Sequence, residues 1–107
     1  MSETKTAPNA AKRPYVSPEA AEITKRFFLA INTLRMQGKM HSILQFTKKY
    51  NINRWNLYTI KDNPEVAALK TEYIYYLCRD YNVSLNWIFY GTGDFYDMSA
   101  IVNRKKL

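Results

Sequence analysis

Two short stretches with helical spacing of apolar residues meet at Tyr50-Asn51-Ile52-Asn53, and this junction limits the folds open to the chain. Asn51 stands where the chain must turn sharply, and asparagine is the commonest non-glycine residue to tolerate a left-handed backbone. Ile52 is the aliphatic residue of the turn, so we expect it to pack into the core. Asn53 is a favourable N-cap for the next helix. The junction therefore predicts two helices joined by a tight turn.

Apolar residues recur at helical spacing along most of the chain, and no run alternates as a strand would. Ser, Asn and Gly at the ends of these runs supply capping signals. The helices are predicted at residues 18–37, after a cap at His41 or Ser42, at 54–61, at 71–81, and between Ser84 and Gly91. A short extra turn is expected after Pro64. The fold class is therefore predicted to be all-α, as a compact five-helix domain.

The length of 107 residues, with 47% hydrophobic content, suits one domain with a single core. We expect that domain at residues 17–96. Residues 1–16 and 97–107 lack a periodic apolar face and are predicted to be a flexible basic arm and a basic tail. The cationic residues of the arm either contact phosphates or belong to a solvated segment without a role.

The charge of the chain is unevenly distributed. Between Glu22 and Asp62 there are eight Lys and Arg residues and no Asp or Glu. These are Lys25, Arg26, Arg35, Lys39, Lys48, Lys49, Arg54 and Lys61. From residue 62 to 96, acidic residues outnumber basic ones. A partner with a phosphate backbone is therefore expected on the first half and not on the second.

Several classes of function are disfavoured by composition. Cys78 is the single cysteine, which excludes an internal disulfide and favours a reducing compartment. No apolar run approaches the roughly 20 residues of a membrane span, so we expect a soluble cytoplasmic protein. His41 is the single histidine, and neither a nucleophile and base pair nor a metal site can be assembled from usual parts. No enzymatic activity, metal or cofactor is expected.

Residues 81–93, with the sequence YNVSLNWIFYGTG, are similar to the ending L-G-V-S-x-D-W-L-L-x-G-x-G of many phage-type repressors. On this basis residues 23–93 resemble the lambda-repressor-like (Cro/C1-type, XRE) helix-turn-helix family. The chain differs from the family pattern at Thr47, Asn51 and Lys61, which are usually Ala, Gly and Glu, and by additional residues at 64–68. The resemblance implies that the third helix enters the major groove of DNA.

The outward side of the third helix carries the candidate DNA contacts. The candidates for base edges are Arg54, Trp55, Asn56, Tyr58 and Thr59, and those for phosphates are Lys39, Lys48, Lys49, Asn53 and Lys61. Arg and Asn make bidentate contacts to guanine and adenine edges, and Lys positions a protein on the backbone. An ordinary solvated face is the alternative for these polar residues. For Trp55 three roles stay open: contact with thymine methyls and sugars, filling of a core groove, or anchoring of a protein partner.

The second half is rich in aromatic residues: Tyr73, Tyr75, Tyr76, Phe89, Tyr90, Phe95 and Tyr96. They predict either a homodimer through this half, as the resemblance implies, or a core enlarged by tyrosines.

The sequence as a whole predicts a sequence-specific double-stranded DNA-binding protein, a transcriptional regulator of phage or mobile-element type without a small-molecule effector. The alternative is a structural or protein-interaction module on a diverged helix-turn-helix scaffold, such as a phage particle component or an antitoxin-like protein.

Overall fold

The longest helix, α1, spans Pro18–Met36 and begins where the sequence predicts. The Ser17 hydroxyl accepts a hydrogen bond from the Ala20 amide at 3.1 Å, and Pro18 occupies the first turn, where no amide proton is needed. The helix ends one residue earlier than predicted. Gly38 follows with φ of +75°, a backbone angle that disfavours residues with a side chain, so the chain leaves the helix axis there.

The structure is a computed structural model that describes residues 16–99. After α1 come α2 (Ile43–Lys49), α3 (Arg54–Asp62), α4 (Thr71–Tyr81) and α5 (Leu85–Tyr90). No strand is present between residues 16 and 99, and the predicted all-α fold class is confirmed. The predicted arm and tail lie outside the described residues, apart from Val16 and residues 97–99. A bilayer-spanning helix would need more length and more apolar residues than any described helix has.

Left-handed residues separate the short helices. Asn51, between α2 and α3, has φ of +56°, which confirms its predicted role in the tight turn. Asn82 ends α4 with φ of +60°, and Gly91 ends α5 with φ of +70°. A side chain at position 91 would also lie 3.3 Å from the Arg26 guanidinium, so both space and backbone angle favour glycine there.

The core receives side chains from each of the helices α1 to α5. The largest fully buried apolar residues are Phe27, Leu34, Phe46, Leu57, Leu77, Val83 and Ile88. Burying such a side chain stabilises the fold by about 1.5–3 kcal/mol relative to leaving it exposed. Ile52 is half-buried and packs against this core, as predicted. Met40, in the loop before α2, is also buried, although no periodic signal predicts its burial.

Helix α1 contacts both α3 and α5 and so connects the two halves of the domain. At the α5 side, the Nε of Arg26 donates to the Ile88 carbonyl at 2.6 Å, and its Nη2 donates to the Phe89 carbonyl at 2.8 Å. Carbonyl groups in the last turn of a helix have no partner within the helix. Arg26 therefore caps α5 from α1.

The segments that follow α3 and α5 are held by backbone hydrogen bonds. The Ala67 amide donates to the Asn63 carbonyl at 2.9 Å, which forms the short turn predicted after Pro64. After α5, residues 95–97 return to residues 82–84, where the Ser84 amide donates to the Phe95 carbonyl at 2.7 Å. An isolated β-bridge between residues 83 and 96 fixes this return, which the sequence did not predict.

Candidate nucleic-acid interface

Helix α3 has a buried side and an exposed side. Leu57 is fully buried and Ile60 is 7% exposed, so these residues attach the helix to the core as predicted. Five of the predicted DNA contacts on this helix are exposed: Arg54, Trp55, Asn56, Thr59 and Lys61. The sixth, Tyr58, is half-buried. The spacing of the two inward residues thus presents most of the polar positions to solvent.

Asn53 holds the first turn of α3. Its Oδ1 accepts hydrogen bonds from the amides of Trp55 at 2.9 Å and Asn56 at 3.2 Å. Because the side-chain oxygen is used as the N-cap, the amide nitrogen is the group left to donate to a phosphate. Asn53 was predicted both to cap the helix and to contact a phosphate. The two roles use different atoms of its side chain.

Three side chains of α3 form a connected cluster. The guanidinium carbon of Arg54 lies 5.0 Å from the centroid of the Trp55 ring, within the range of a cation–π contact. The Trp55 ring meets the Tyr58 ring edge to face, with centroids 6.0 Å apart and an interplanar angle of 75°. Trp55 is 65% exposed, which excludes the reading in which it fills a core groove.

Tyr58 connects this cluster to the interior. It lines a surface concavity of about 340 Å³ together with Phe28 and Ile31 of α1, and Arg35 and Lys61 lie at the same concavity. Tyr58 is less exposed than the other four predicted base contacts, and a base contact by its ring stays a prediction. Of the five predicted base contacts, Tyr58 is therefore the one whose ring is better placed to support a neighbour.

Lys48 of α2 lies at a concavity that the first residue of α3 also borders. This concavity of about 390 Å³ lies between the two helices, and Arg54 and Asn51 line it. Lys48 also borders a second concavity of about 520 Å³, on the side of His41 and Ser42. Lys48, Arg54 and Lys61 form no ion pair with any residue between 16 and 99.

Lys39 and Lys49 are exposed but lie over aromatic rings. The Nζ of Lys39 is 5.1 Å from the centroid of the Tyr96 ring. The Nζ of Lys49 is 5.4 Å from the Tyr50 ring and 5.2 Å from the Tyr81 ring. Their ammonium groups still face solvent, so a phosphate contact by either residue stays a prediction.

Two members of the acid-free basic run have internal partners. Lys25 lies 3.5 Å from a carboxylate oxygen of Glu22 and 3.4 Å from one of Glu65, and Arg26 caps α5. The expectation that the whole run forms one surface for a polyanion is therefore wrong for these residues. Glu22 precedes them by three and four positions, and this helical spacing was the signal that could have identified them.

The end of α2 is clamped to α4 through Tyr50. Its hydroxyl donates to Oδ2 of Asp80 at 2.5 Å, and its ring stacks on Tyr76 with centroids 4.2 Å apart and planes 3° from parallel. Nε and Nη2 of Arg79 each donate to the Asp80 carboxylate at 2.7 Å. This guanidinium, with help from the Tyr50 hydroxyl, holds the pKa of Asp80 well below its usual range. The clamp joins residues 30 positions apart, and no sequence pattern predicts it.

The aromatic half exposes a cluster of apolar side chains. Tyr75 is 55% exposed, Leu85 54%, Phe89 37% and Tyr90 72%. Tyr75, Leu85 and Phe89 border an apolar groove of about 280 Å³ between α4 and α5, with Cys78 among its walls. Burial raises the pKa of the Cys78 thiol to about 11. The other aromatic residues of this half, such as Tyr73, contribute to the core, as the alternative of an enlarged core predicts, and a homodimer through the exposed residues stays a prediction.

No three His, Cys, Asp or Glu side chains within residues 16–99 are grouped as a metal site would require. The helices α2 and α3, with the left-handed Asn51 between them, have the order of elements expected of a helix-turn-helix. Comparisons of the chain with models of known protein families, with curated proteins and with solved structures find no match.

Proposed function

We propose that this chain is a sequence-specific double-stranded DNA-binding protein with a lambda-repressor-like scaffold, a cytoplasmic transcriptional regulator of phage or mobile-element type. The observation that carries the proposal is the exposed side of α3, where Arg54 and Asn56 stand on a helix anchored by its opposite side. Arg and Asn are the residue types that recognise guanine and adenine edges in the major groove.

The surroundings of α3 support the same reading. Lys48 and Lys61 lie toward the two ends of the helix as exposed cations without carboxylate partners among residues 16–99. Such residues position a protein on the phosphate backbone without reading sequence. Thr59, on the exposed side, is the third polar residue for a base edge, while Tyr58 supports Trp55.

Selection of bound sites from a random duplex pool tests the proposal directly. The full chain is expected to enrich one motif, and binding to that motif is expected to weaken steeply with salt. If six or more phosphates are neutralised, affinity falls by about 10³-fold or more between 50 and 200 mM salt. An unenriched pool, or an affinity that is insensitive to salt, would contradict the proposal.

The proposal includes a homodimer through the aromatic half. Leu85 and Phe89 project beside the apolar groove that they border, so a two-fold pairing lets the residues of each copy fill the groove of the other. Glu72, Asp80 and Asp94 make this half unfavourable for a duplex. Light scattering is expected to give twice the chain mass of 12.6 kDa. Leu85→Glu should give the single mass, whereas Leu29→Glu, at an equally exposed leucine of α1, should not.

A second candidate function is a structural or protein-interaction module, and the exposed Trp55 and the apolar groove are the observations that favour it. The two candidates differ in what the exposed polar residues of α3 do. If the module binds only protein, Arg54→Ala and Asn56→Ala leave partner capture intact and the chain is not retained on immobilised duplex DNA.

A further inference from the structure

The contact between Arg54 and Trp55 indicates the kind of ligand more specifically than either residue does alone. An indole that is 65% exposed gains little from burial in the free protein, yet it lies directly against a guanidinium. The contact with the ring uses the positive charge of the guanidinium and none of its five N–H donors. Those donors are then available to a ligand, because Arg54 forms no ion pair within the described residues.

The pair is also held in place by the residues beneath it. Tyr58 contacts the Trp55 ring from the next turn of α3 and is itself half-buried beside Phe28 and Ile31. Asn53 fixes the first turn through the Trp55 amide at 2.9 Å. Side chains that are ordered before binding lose less conformational entropy on contact with a ligand. The cluster therefore has the properties of a preorganised recognition element.

The chemistry of the cluster selects its ligand. A guanidinium fork matches O6 and N7 of guanine, and an apolar surface beside it matches the C5-methyl group of thymine. When a thymine precedes guanine on the same strand, its methyl group lies next to the edge of that guanine in the major groove. An Arg and a Trp in contact can therefore meet both features of one base step.

Resting on the proposed function, we propose that Arg54 and Trp55 together read a 5′-thymine-guanine step, Arg54 through the guanine edge and Trp55 through the thymine methyl group. Tyr58 is a positioning residue for Trp55 and does not itself contact a base. A thymine-guanine step is also easily unstacked, which helps a protruding indole to approach. Of the roles that its exposure leaves open, Trp55 thus has the contact with thymine.

The experiment begins with the motif that the full chain enriches from a random duplex pool, which is expected to contain the step. The thymine is then replaced by uracil, which removes the methyl group and preserves base pairing. Wild-type affinity is expected to fall about fourfold, the effect of one buried methyl group. In Trp55→Ala the uracil and thymine duplexes should bind equally. When the T·A pair is replaced by a C·G pair, the duplex with 5-methylcytosine should bind more tightly than the duplex with unmethylated cytosine, by a similar factor.

Matched variants separate the contributions. Leu29→Ala removes another exposed apolar side chain, on α1 and outside both α3 and the aromatic half, and should keep the preference for thymine over uracil. Arg54→Met keeps an unbranched side chain, removes the N–H donors and should lose the preference for guanine. Tyr58→Leu should reduce the thymine preference while the guanine preference remains. Circular dichroism confirms that each variant is folded.

The outcomes distinguish this inference from the function on which it rests. If the pool yields no motif, the proposed function fails and the inference fails with it. If a motif appears without the step, if uracil binds as well as thymine, or if Trp55→Ala retains the preference, the inference is overturned while DNA binding stands. A Trp55→Ala variant that is unchanged on every duplex would likewise overturn the thymine contact of the indole.

Discussion

Two groups of cationic side chains in this protein have the same chemistry and opposite surroundings. Arg26 donates to two carbonyl oxygens of α5, and Arg79 donates to the carboxylate of Asp80, which also accepts from the Tyr50 hydroxyl. Lys48, Arg54 and Lys61 are exposed on α2 and α3 and have no carboxylate partner between residues 16 and 99. A cation is therefore available to a polyanion only where the fold has not supplied a partner. A count of charges does not show which cations have such partners.

The difference extends to the aromatic rings beside each group. Around Arg79, the rings of Tyr50 and Tyr76 are stacked and belong to the clamp between α2 and α4. Around Arg54, the ring of Trp55 is largely open to solvent. A cation and a ring thus stabilise the fold in one region and remain available for binding in the other.

The largest expected effect is on binding. Combining Arg54→Ala with Asn56→Ala should weaken binding to the selected duplex by at least about 30-fold, because each bidentate contact to a base contributes about 1–3 kcal/mol. Fluorescence anisotropy at fixed salt measures the change. The control variant, Lys70→Ala with Asn86→Ala, removes the same charge and the same amide from exposed positions outside α3 and should bind within a few-fold of wild type. Equal losses in both would show that α3 has no special role.

Arg26→Ala should produce the largest loss of stability among the basic residues. It removes two hydrogen bonds to the end of α5, and hydrogen bonds to charged groups contribute about 1.5–3 kcal/mol. Urea unfolding monitored by circular dichroism measures the free energy of unfolding. Arg35→Ala, at an exposed arginine of the same helix, should cost less than about 0.5 kcal/mol. If the two variants unfold alike, the capping role of Arg26 is refuted.

Tyr50→Phe should have a smaller effect, because it removes the hydroxyl contact to Asp80 and keeps the stack on Tyr76. We expect the free energy of unfolding to fall by about 1.5–3 kcal/mol, the contribution of one hydrogen bond to a charged group, where Arg26→Ala removes two. Tyr90→Phe, at a tyrosine that is 72% exposed, serves as the control and should leave stability unchanged. If Tyr50→Phe has the same free energy of unfolding as wild type, stacking alone holds the clamp.

The smallest expected effect is the dependence of stability on pH. Since the folded pKa of Asp80 lies below that of an unfolded aspartate, near 3.9, this carboxylate stabilises the fold fully above about pH 5. The contribution is lost progressively as pH falls through about 4 and below. Wild type should therefore lose more stability than Asp80→Asn between pH 6 and pH 2.5 in parallel urea titrations. If the free energy of unfolding falls equally with pH in the two proteins, the charged clamp is contradicted.

Much of the fold could be predicted because its signals are local. Ser17, Ser42 and Ser84 each cap a helix within three residues of their own position, and Asn51 adopts the left-handed angle that its place in the turn requires. The return of residues 95–97 to residues 82–84 and the burial of Met40 could not be predicted, because they depend on contacts between distant segments with no periodic pattern.

The candidate site was predicted in part for the same reason. The exposed positions of α3 follow from the spacing of Leu57 and Ile60, which fixes the buried side of the helix. The exception is Tyr58, whose half-burial depends on α1 packing beside it. Whether the exposed residues contact DNA is a prediction that the duplex experiments decide.

The sequence by itself determined the helices, their caps and the outward residues of α3, because capping and periodicity act over a few neighbouring positions. Only the packed structure makes Arg26 a cap of α5, since its carbonyl partners lie 62 and 63 positions away. Packing likewise brings Tyr50 to Asp80. Hydrogen bonds and ring contacts are short-range forces, so partners from distant segments meet only when the helices pack.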